Sequence, residues 1–452
     1  MIVNVTGGYD GFTMNGLEHG FAEDISDRVQ RTVAATAVRG VVTMTMLETR
    51  ADHGAIAPAV FGLGGVKTPA IPFRAEAAAA VAAEHATAVD RDARFPAEAI
   101  AALKRHRLLG MAVPRRFGGE GASMAEVADV GFKLGRACSS TAMVFAMHQI
   151  KVACIMRHGC GSAWHEAMLR RLSDDQWLLA SSTTEGQNGG NVRSSAAAIE
   201  AEADAITLDR ESTVISYGAE ADGIVTTARR SSEAAGSDQV LVVLLREHYR
   251  LEPVLQWDTL GMRGTCSAGF RLRARGSAEQ VLPVAYETIH SQTMTPVAHI
   301  LWGAAWSGIA AAAVERAQNF IRKAARHGKG QLPPGASHYT KAQSSLRVLR
   351  TLVQAGVARY EAALADERLF GSLDFHAAMN LLKVDASETA VSTVMSAMRA
   401  CGLSGYRNDG ESSIGRHLRD ILSSPIMINN DRILANLATT TLMSAVPTSL
   451  MD

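Results

Sequence analysis

The sequence predicts an α+β fold that is mostly helical, with its strands gathered in the middle of the chain. Three observations lead there. From about Ala75 to Leu172, and again from about Pro296 to Ala445, apolar residues recur at helical spacing. Between Trp177 and about Pro283 the period shortens to two, as in Phe270-Arg271-Leu272-Arg273-Ala274. The composition is 47% hydrophobic but only 5% aromatic, and alanine is abundant, which suits packed helices better than a large sheet.

The elements follow in order. Residues 1–70 show no sustained period and read as an extension: a poorly ordered arm, a small added element, or a start set too far upstream, with Met44 and Met46 as candidate first residues. Residues 71–174 form the first helical region. Ala75 to Val89 is alanine-rich. Pro96 opens a helix through Ile100, Leu103 and Leu108, since proline fits a first helical turn. Met111 to Pro114 leads into a turn at Gly118–Gly121, and Met124–Leu134 and Thr141–Ile155 read as two buried helices.

Residues 175–288 carry the strands: an apolar run from Trp177 to Ala180, a strand at Val214-Ile215-Ser216, and a buried run from Val240 to Leu245, with Ser231–Ser237 as a polar hairpin loop. Residues 289–452 return to helices. Trp302, Trp306, Ile309, Ala313, Ala317 and Phe320 share one face. Gln331-Leu332-Pro333-Pro334-Gly335 ends that helix, and Lys341–Leu364, Phe375–Met398 and Arg432–Met443 supply three more.

Composition excludes several classes. Lysine plus arginine equal aspartate plus glutamate at 45 each, so the chain lacks the excess of positive charge that binding nucleic acid requires. The five cysteines (138, 154, 160, 266, 401) form no CxxC or His/Cys cluster, so no metal is expected and the thiols read as buried in a reducing, cytoplasmic setting. The early Asp and Glu residues argue against a secretory leader. The most apolar window, Val297 to Val314, contains His299 and Ser307 and predicts a buried helix rather than a membrane span.

The chemistry concentrates in residues 177–222. An apolar run turns through Ser181-Ser182-Thr183-Thr184-Glu185-Gly186-Gln187-Asn188-Gly189-Gly190-Asn191 and returns at Val214-Ile215-Ser216. Hydroxyls and free backbone N–H groups on two strand edges suit a flat heteroaromatic ring; the same residues also make an ordinary hairpin loop. Other marks flank the stretch. They are Val113-Pro114 with Gly118-Gly119-Glu120-Gly121, then Trp257-Asp258-Thr259-Leu260-Gly261-Met262-Arg263, then Gly402 to Tyr406 with Arg416-His417-Leu418-Arg419-Asp420.

Together, in this order, these segments resemble the acyl-CoA dehydrogenase family. The resemblance implies an N-terminal helical domain, a small β-barrel or sandwich, and a C-terminal four-helix bundle. It implies FAD, with Thr183 and Thr184 on the isoalloxazine edge and Ser216 near N5. It places Arg322 at the FAD pyrophosphate of a neighbouring subunit, so a homodimer or homotetramer is expected. It puts Gly402 near the adenosine half and Asn430 in a cofactor-contacting loop. Met147, His148 and Gly190 fall beside the acyl pocket. The implied reaction removes an α-proton from an acyl thioester, carried on CoA or a carrier protein, while a β-hydride goes to the flavin; an electron-transfer partner or reductase would follow.

Departures are as informative. The ring-stacking aromatic of the family is Val214, the Ser-Asp after the glycine is Gly190-Asn191, and a usual glutamine is Arg399. The proton-abstracting glutamate falls at Ile428, and its alternative place in some relatives falls near Ala298. Asp431 is the nearest carboxylate in that loop and reads either as a displaced base or as a helix cap. Three readings stay open. The leading one is an FAD-dependent acyl-thioester dehydrogenase. The second is a two-component monooxygenase of the same fold, which receives reduced flavin and needs no carboxylate base; the C-terminal loop is not His-rich, as such relatives often show. The third is a catalytically degenerate subunit.

Overall fold

Helix α1 (Ile71–Arg91) and α2 (Ala97–Arg105) begin the described part of a computed structural model, which covers residues 69–186 and 191–443 with Val446, Thr448 and Ser449. The expectations for residues 1–68 and for Gly190 lie outside the described residues. Proline sets both helix starts, with Pro72 in the first turn of α1 and Pro96 at the N-cap of α2. Helix α3 (Met124–Ala137) opens on a capping box. The Ser123 N–H donates to Glu126 Oε2 at 2.8 Å, and the Glu126 N–H donates back to Ser123 Oγ at 3.3 Å. Helices α4 (Ser139–His158) and α5 (Ala163–Asp175) complete the first layer.

The strands form two sheets. In one, β1 (Leu179–Ser182) pairs parallel with β4 (Gly223–Arg229), and β4 pairs antiparallel with β5 (Gln239–Leu245). The other is antiparallel throughout, in the order β2 (Glu200–Glu202), β3 (Ala205–Ser212), β7 (Gly269–Ser277), β6 (Tyr249–Leu255). Strand β5 is buried along its whole length, as its unbroken apolar run requires. Strand β7 buries Phe270 and Leu272 and exposes Arg271 and Arg273, the period of two read in the sequence.

One strand expectation is corrected. Val214-Ile215-Ser216 lies beyond the end of β3, where the chain is irregular and enters a turn at Ser216. Its backbone still pairs across: Ile215 N–H donates to Ala268 O at 2.9 Å and Tyr217 N–H to Thr265 O at 2.8 Å. Tyr217 takes φ +43°, which breaks an extended run.

A continuous helix from Tyr286 to His327 then crosses the core. It comprises α6 (Tyr286–Ile289), a π-helical turn at His290–Met294, and α7 (Thr295–His327). The cause of the π turn lies just after it. Pro296 has no N–H and its ring crowds the preceding turn, so the regular i→i−4 ladder cannot continue through this point. The helix is long and apolar enough to cross a membrane, but 94% of its most apolar window is buried inside the protein, so it is a core helix.

Helices α8 (Ala336–Ala365) and α9 (Leu373–Cys401) pack on α7 and on each other. The short α10 (Leu403–Tyr406) and α11 (Gly415–Ile421) follow, and α12 (Asn430–Met443) lies on α9. The first layer joins this bundle where α3 crosses α7. There the backbones touch: a Cβ on Gly308 would sit 2.2 Å from Phe132 O, and one on Gly135 would sit 2.3 Å from Ala305 O. Replacing Gly308 by leucine is expected to lower stability by about 3 kcal/mol through overpacking, read as a lower urea midpoint at unchanged slope.

Candidate active site

The end of β1 carries the polar loop. Ser182 Oγ is hydrogen-bonded to Ser212 Oγ at 2.7 Å, and Thr226 Oγ1 donates to Ser182 O at 2.9 Å, which ties β1 to β3 and β4. Thr183 and Thr184 come next. Both are half-buried, and neither hydroxyl has a hydrogen-bond partner among the described residues. Glu185 turns inward instead. It is 4% exposed and forms an ion pair with Arg210 at 3.1 Å, itself wholly buried. Its carboxylate also accepts from the N–H groups of Ala196 and Ala197, at 2.5 and 3.1 Å. Arg210 in turn donates to Thr227 O and Ser212 Oγ. Burial lowers the Arg210 pKa to about 10, against the pull of Glu185, so the guanidinium stays charged. Glu185 thus anchors the returning chain and leaves the two threonines at the opening.

Ser216 is half-buried and bonded to Ser267 Oγ at 2.8 Å. Ser267 continues to Thr265 at 2.7 Å, and Thr265 donates to Met262 O. Met262 closes the Trp257–Arg263 loop, where Trp257 Nε1 donates to Met262 O at 3.2 Å. This loop rests on α11. The Met262 N–H donates to Asp420 Oδ1 at 2.7 Å, and Arg419 donates to Leu260 O and, through both Nη atoms, to Asp90 on α1. A Cβ on Gly261 would lie 2.1 Å from Arg419 O, so only glycine permits the contact. Burial raises the Asp420 pKa.

Helix α4 supplies one wall. Met147 is half-buried and packs against the core. His148, expected beside the substrate, is committed elsewhere. Its Nδ1 accepts the Leu179 N–H at 3.0 Å and its Nε2 donates to Leu109 O at 2.9 Å. With both nitrogens held by backbone and no exposed surface, it clasps β1 to the first layer.

The loop from Ser424 to Asn430 faces α9. Lys383, with no exposed surface, donates to Asn430 Oδ1 at 2.6 Å, to Pro425 O at 3.4 Å and to Ile428 O at 3.5 Å. Asn430 Nδ2 donates to Glu388 at 2.7 Å and to Ser387 at 3.0 Å. The Asn430 amide, expected on a cofactor, is therefore spent inside this network. Ile428 is half-buried and takes φ +48°, a strained setting for a β-branched residue that the three-way lysine clamp maintains. Asp431 is exposed on the first turn of α12, and its N–H donates to Asn429 Oδ1 at 2.9 Å. That is the setting of a helix-end charge. Ala298 is buried on α7. Its neighbour His299 donates from Nδ1 to Met379 O at 2.8 Å, and burial holds its pKa at about 3.

Residues 73–172 match the model of the acyl-CoA dehydrogenase N-terminal domain, and residues 291–440 match that of the C-terminal domain. The chain belongs to the acyl-CoA dehydrogenase family. It is 25% identical over 363 residues to the cyclohex-1-ene-1-carbonyl-CoA dehydrogenase of Geobacter metallireducens, a match spanning 78% of this chain and 91% of that protein. It is 23% identical over 337 residues to a probable FMNH2-dependent monooxygenase SfnC of Pseudomonas putida, spanning 71% of this chain and 83% of the relative. Among solved structures, FMN-bound TdsC from Paenibacillus sp. A11-2 shares the fold with a TM-score of 0.72 at 17% identity, over 84% of this chain and 98% of TdsC.

Within this family fold, Arg322 is exposed near the end of α7, without an ion-pair partner among the described residues. Gly402, at φ +56°, ends α9 and starts α10. The sequence reading passed over Lys383. Its signal was a lysine on the same helical face as Met379, Ala386 and Ala390, a face the fold buries. It also passed over the indole N–H groups of Trp302 and Trp306, which are buried without partners among the described residues.

Two outcomes follow. Glu185→Ala strands a buried guanidinium and is expected to cost about 3–5 kcal/mol in urea unfolding. His148 is neutral when folded, with its pKa down at about 4 from an ordinary 6.5 because burial penalises the charged ring. The unfolded chain takes the proton first, so the stability this histidine confers is present above 6.5 and lost as pH falls towards 4. Unfolding free energy is expected to fall less steeply between about pH 7 and 5 in His148→Gln than in the wild type.

Proposed function

We propose that this chain is a flavin-dependent monooxygenase on the acyl-CoA dehydrogenase fold, working with reduced flavin and dioxygen. The observation that carries this reading is that neither family position for the proton-abstracting glutamate holds an acid: one is Ile428, the other falls near Ala298. An isoleucine or alanine cannot accept a proton, whereas oxygen transfer from a reduced flavin needs no carboxylate base. The relative named as an FMNH2-dependent monooxygenase supports the same reading.

The residues present fit a flavin. Thr183 and Thr184 bring two hydroxyls, unpartnered among the described residues, to the end of β1. Ser216 presents a third from the chain of hydroxyls that runs through Ser267 to Thr265. These would bond the polar edge of the ring. Bound flavin supplies the two-electron redox chemistry. The protein would hold it and exclude water. Lys383 fixes the Ile428 loop, and the neutral His299 ring, with Nδ1 spent on Met379 O, retains Nε2 as an acceptor.

A second reading keeps acyl-thioester dehydrogenation, on CoA or a carrier protein. It is favoured by the cyclohex-1-ene-1-carbonyl-CoA dehydrogenase of Geobacter metallireducens, 91% of whose length the match spans. Asp431 would then be the base, and exposed Arg322 would reach the FAD pyrophosphate of a second subunit in a dimer or tetramer. Both are tested in one experiment. The protein, reconstituted with FMN or FAD, is titrated anaerobically with a panel of acyl-CoAs, then assayed with NADH, a flavin reductase and oxygen. The expected result is no bleaching of the main flavin band, with oxygen consumption coupled to substrate only when the reductase is present. Bleaching that Asp431→Asn abolishes would replace this reading with the dehydrogenase. Failure to bind either flavin would leave a degenerate subunit.

A further inference from the structure

One turn before Ala298, the π turn gathers basic side chains for which the proposed reaction has no role. Lys151 on α4 is 2% exposed. Its Nζ donates to Met294 Sδ at 3.5 Å, and the buried Tyr286 hydroxyl donates to the same sulfur at 3.5 Å. A thioether is a weak acceptor, so two strong donors converge on a sulfur, with no oxygen acceptor for either among the described residues. Lys151 has no ion-pair partner among the described residues. The one charge-bearing group that acts to raise its pKa is Cys154, whose own thiol burial pushes up to about 12. A buried cation without an anion is costly, and a bound anion removes the cost.

His290 stands beside this pair. Its ring lies 5.5 Å from that of Tyr286, and its Nε2 is 3.2 Å from Thr295 Oγ1. It is half-buried. Burial, reinforced by Arg193, Lys151 and His376, holds its pKa near 4, and none of the groups acting on it is an acid. The neutral ring offers one N–H and stands close to cationic groups.

We propose that Lys151, Tyr286 and His290 bind an oxyanion of the substrate, a carboxylate or sulfonate group, at the inner end of the site. This deepens the function proposed above and rests on that reading. Lys151 supplies the charge, Tyr286 a directed O–H, and His290 a neutral N–H. Met294 is the flexible side chain an arriving anion displaces. The substrate class is thus an anionic one, and a neutral analogue lacking the oxyanion is bound poorly.

The test uses the full chain without turnover, so it is independent of which flavin reaction runs. Thermal unfolding is followed against sodium methanesulfonate and sodium acetate, with sodium chloride at matched ionic strength and neutral dimethyl sulfone as controls. A saturable rise in melting temperature with the oxyanions, beyond that with chloride, is expected. Lys151→Met should weaken the apparent affinity roughly tenfold or more, the worth of one charged hydrogen bond. Lys151→Arg should keep most of it, and His290→Gln gives a second reading if Lys151→Met does not fold. No rise beyond chloride, or an unchanged rise in both the Lys151→Met and His290→Gln variants, overturns the proposal. The flavin phosphate is the other possible source of an oxyanion. FMN affinity unaltered by saturating methanesulfonate assigns the pocket to substrate; competition assigns it to flavin and overturns the proposal.

Discussion

Much of this structure hangs on the contact between the Gly261 turn and α11. Arg419 forks onto Asp90 of α1 and caps Leu260 O, while the next residue, Asp420, holds the Met262 N–H. The first helix, the strand region and the C-terminal helices meet within two residues. The arrangement needs a glycine, because the turn backbone lies directly on the Arg419 carbonyl. It also needs Asp420 to be buried beside a backbone donor. From Met262 the chain of hydroxyls through Thr265 and Ser267 runs to Ser216, so the same contact that joins the layers also places a candidate cofactor residue.

The charges divide by task. Two buried carboxylates, Glu185 and Asp420, are spent as struts. Around the candidate site the titratable groups are instead basic: Lys151, Lys383 and the neutral rings of His290 and His299. Burial lowers the pKa of each of these groups. Desolvation disfavours charge, so each persists only where specific partners hold it. Lys383 has three oxygen acceptors and is satisfied, which makes it a clamp. Lys151 has only a sulfur among the described residues. That contrast separates a structural lysine from one available to a ligand, although both are buried on helices of the same core.

Several residues that look functional in the family pattern turn out to carry the architecture. Glu185 of the Thr-Glu pair folds the loop back on Arg210 and leaves the threonines half-buried. His148 and Asn430 have their polar atoms taken by protein. In each case a linear motif marks a position in the fold, and the partner that decides its role lies 25 or more residues away in the chain. The π turn is similar. Pro296 was visible, but its effect depends on a helix that continues unbroken from Tyr286.

The sequence by itself determined the order of elements. Periods of 3.6 and 2 arise from local backbone geometry and show directly in Val240–Leu245, in Phe270–Ala274 and in the long apolar face from Trp302 to Phe320. It also determined that both usual acid positions are apolar, since identity needs no fold. Only the tertiary structure decided which polar groups are free. Val214–Ser216 reads as a strand, yet its pairing partner at 265–268 brings it into a turn. Nothing in the sequence separates Lys151 and Lys383 from solvated helix lysines, because a one-dimensional pattern cannot tell a solvated face from one that a distant helix covers. Burial and hydrogen-bond satisfaction are properties of contacts between remote segments, and those exist only once the chain has packed.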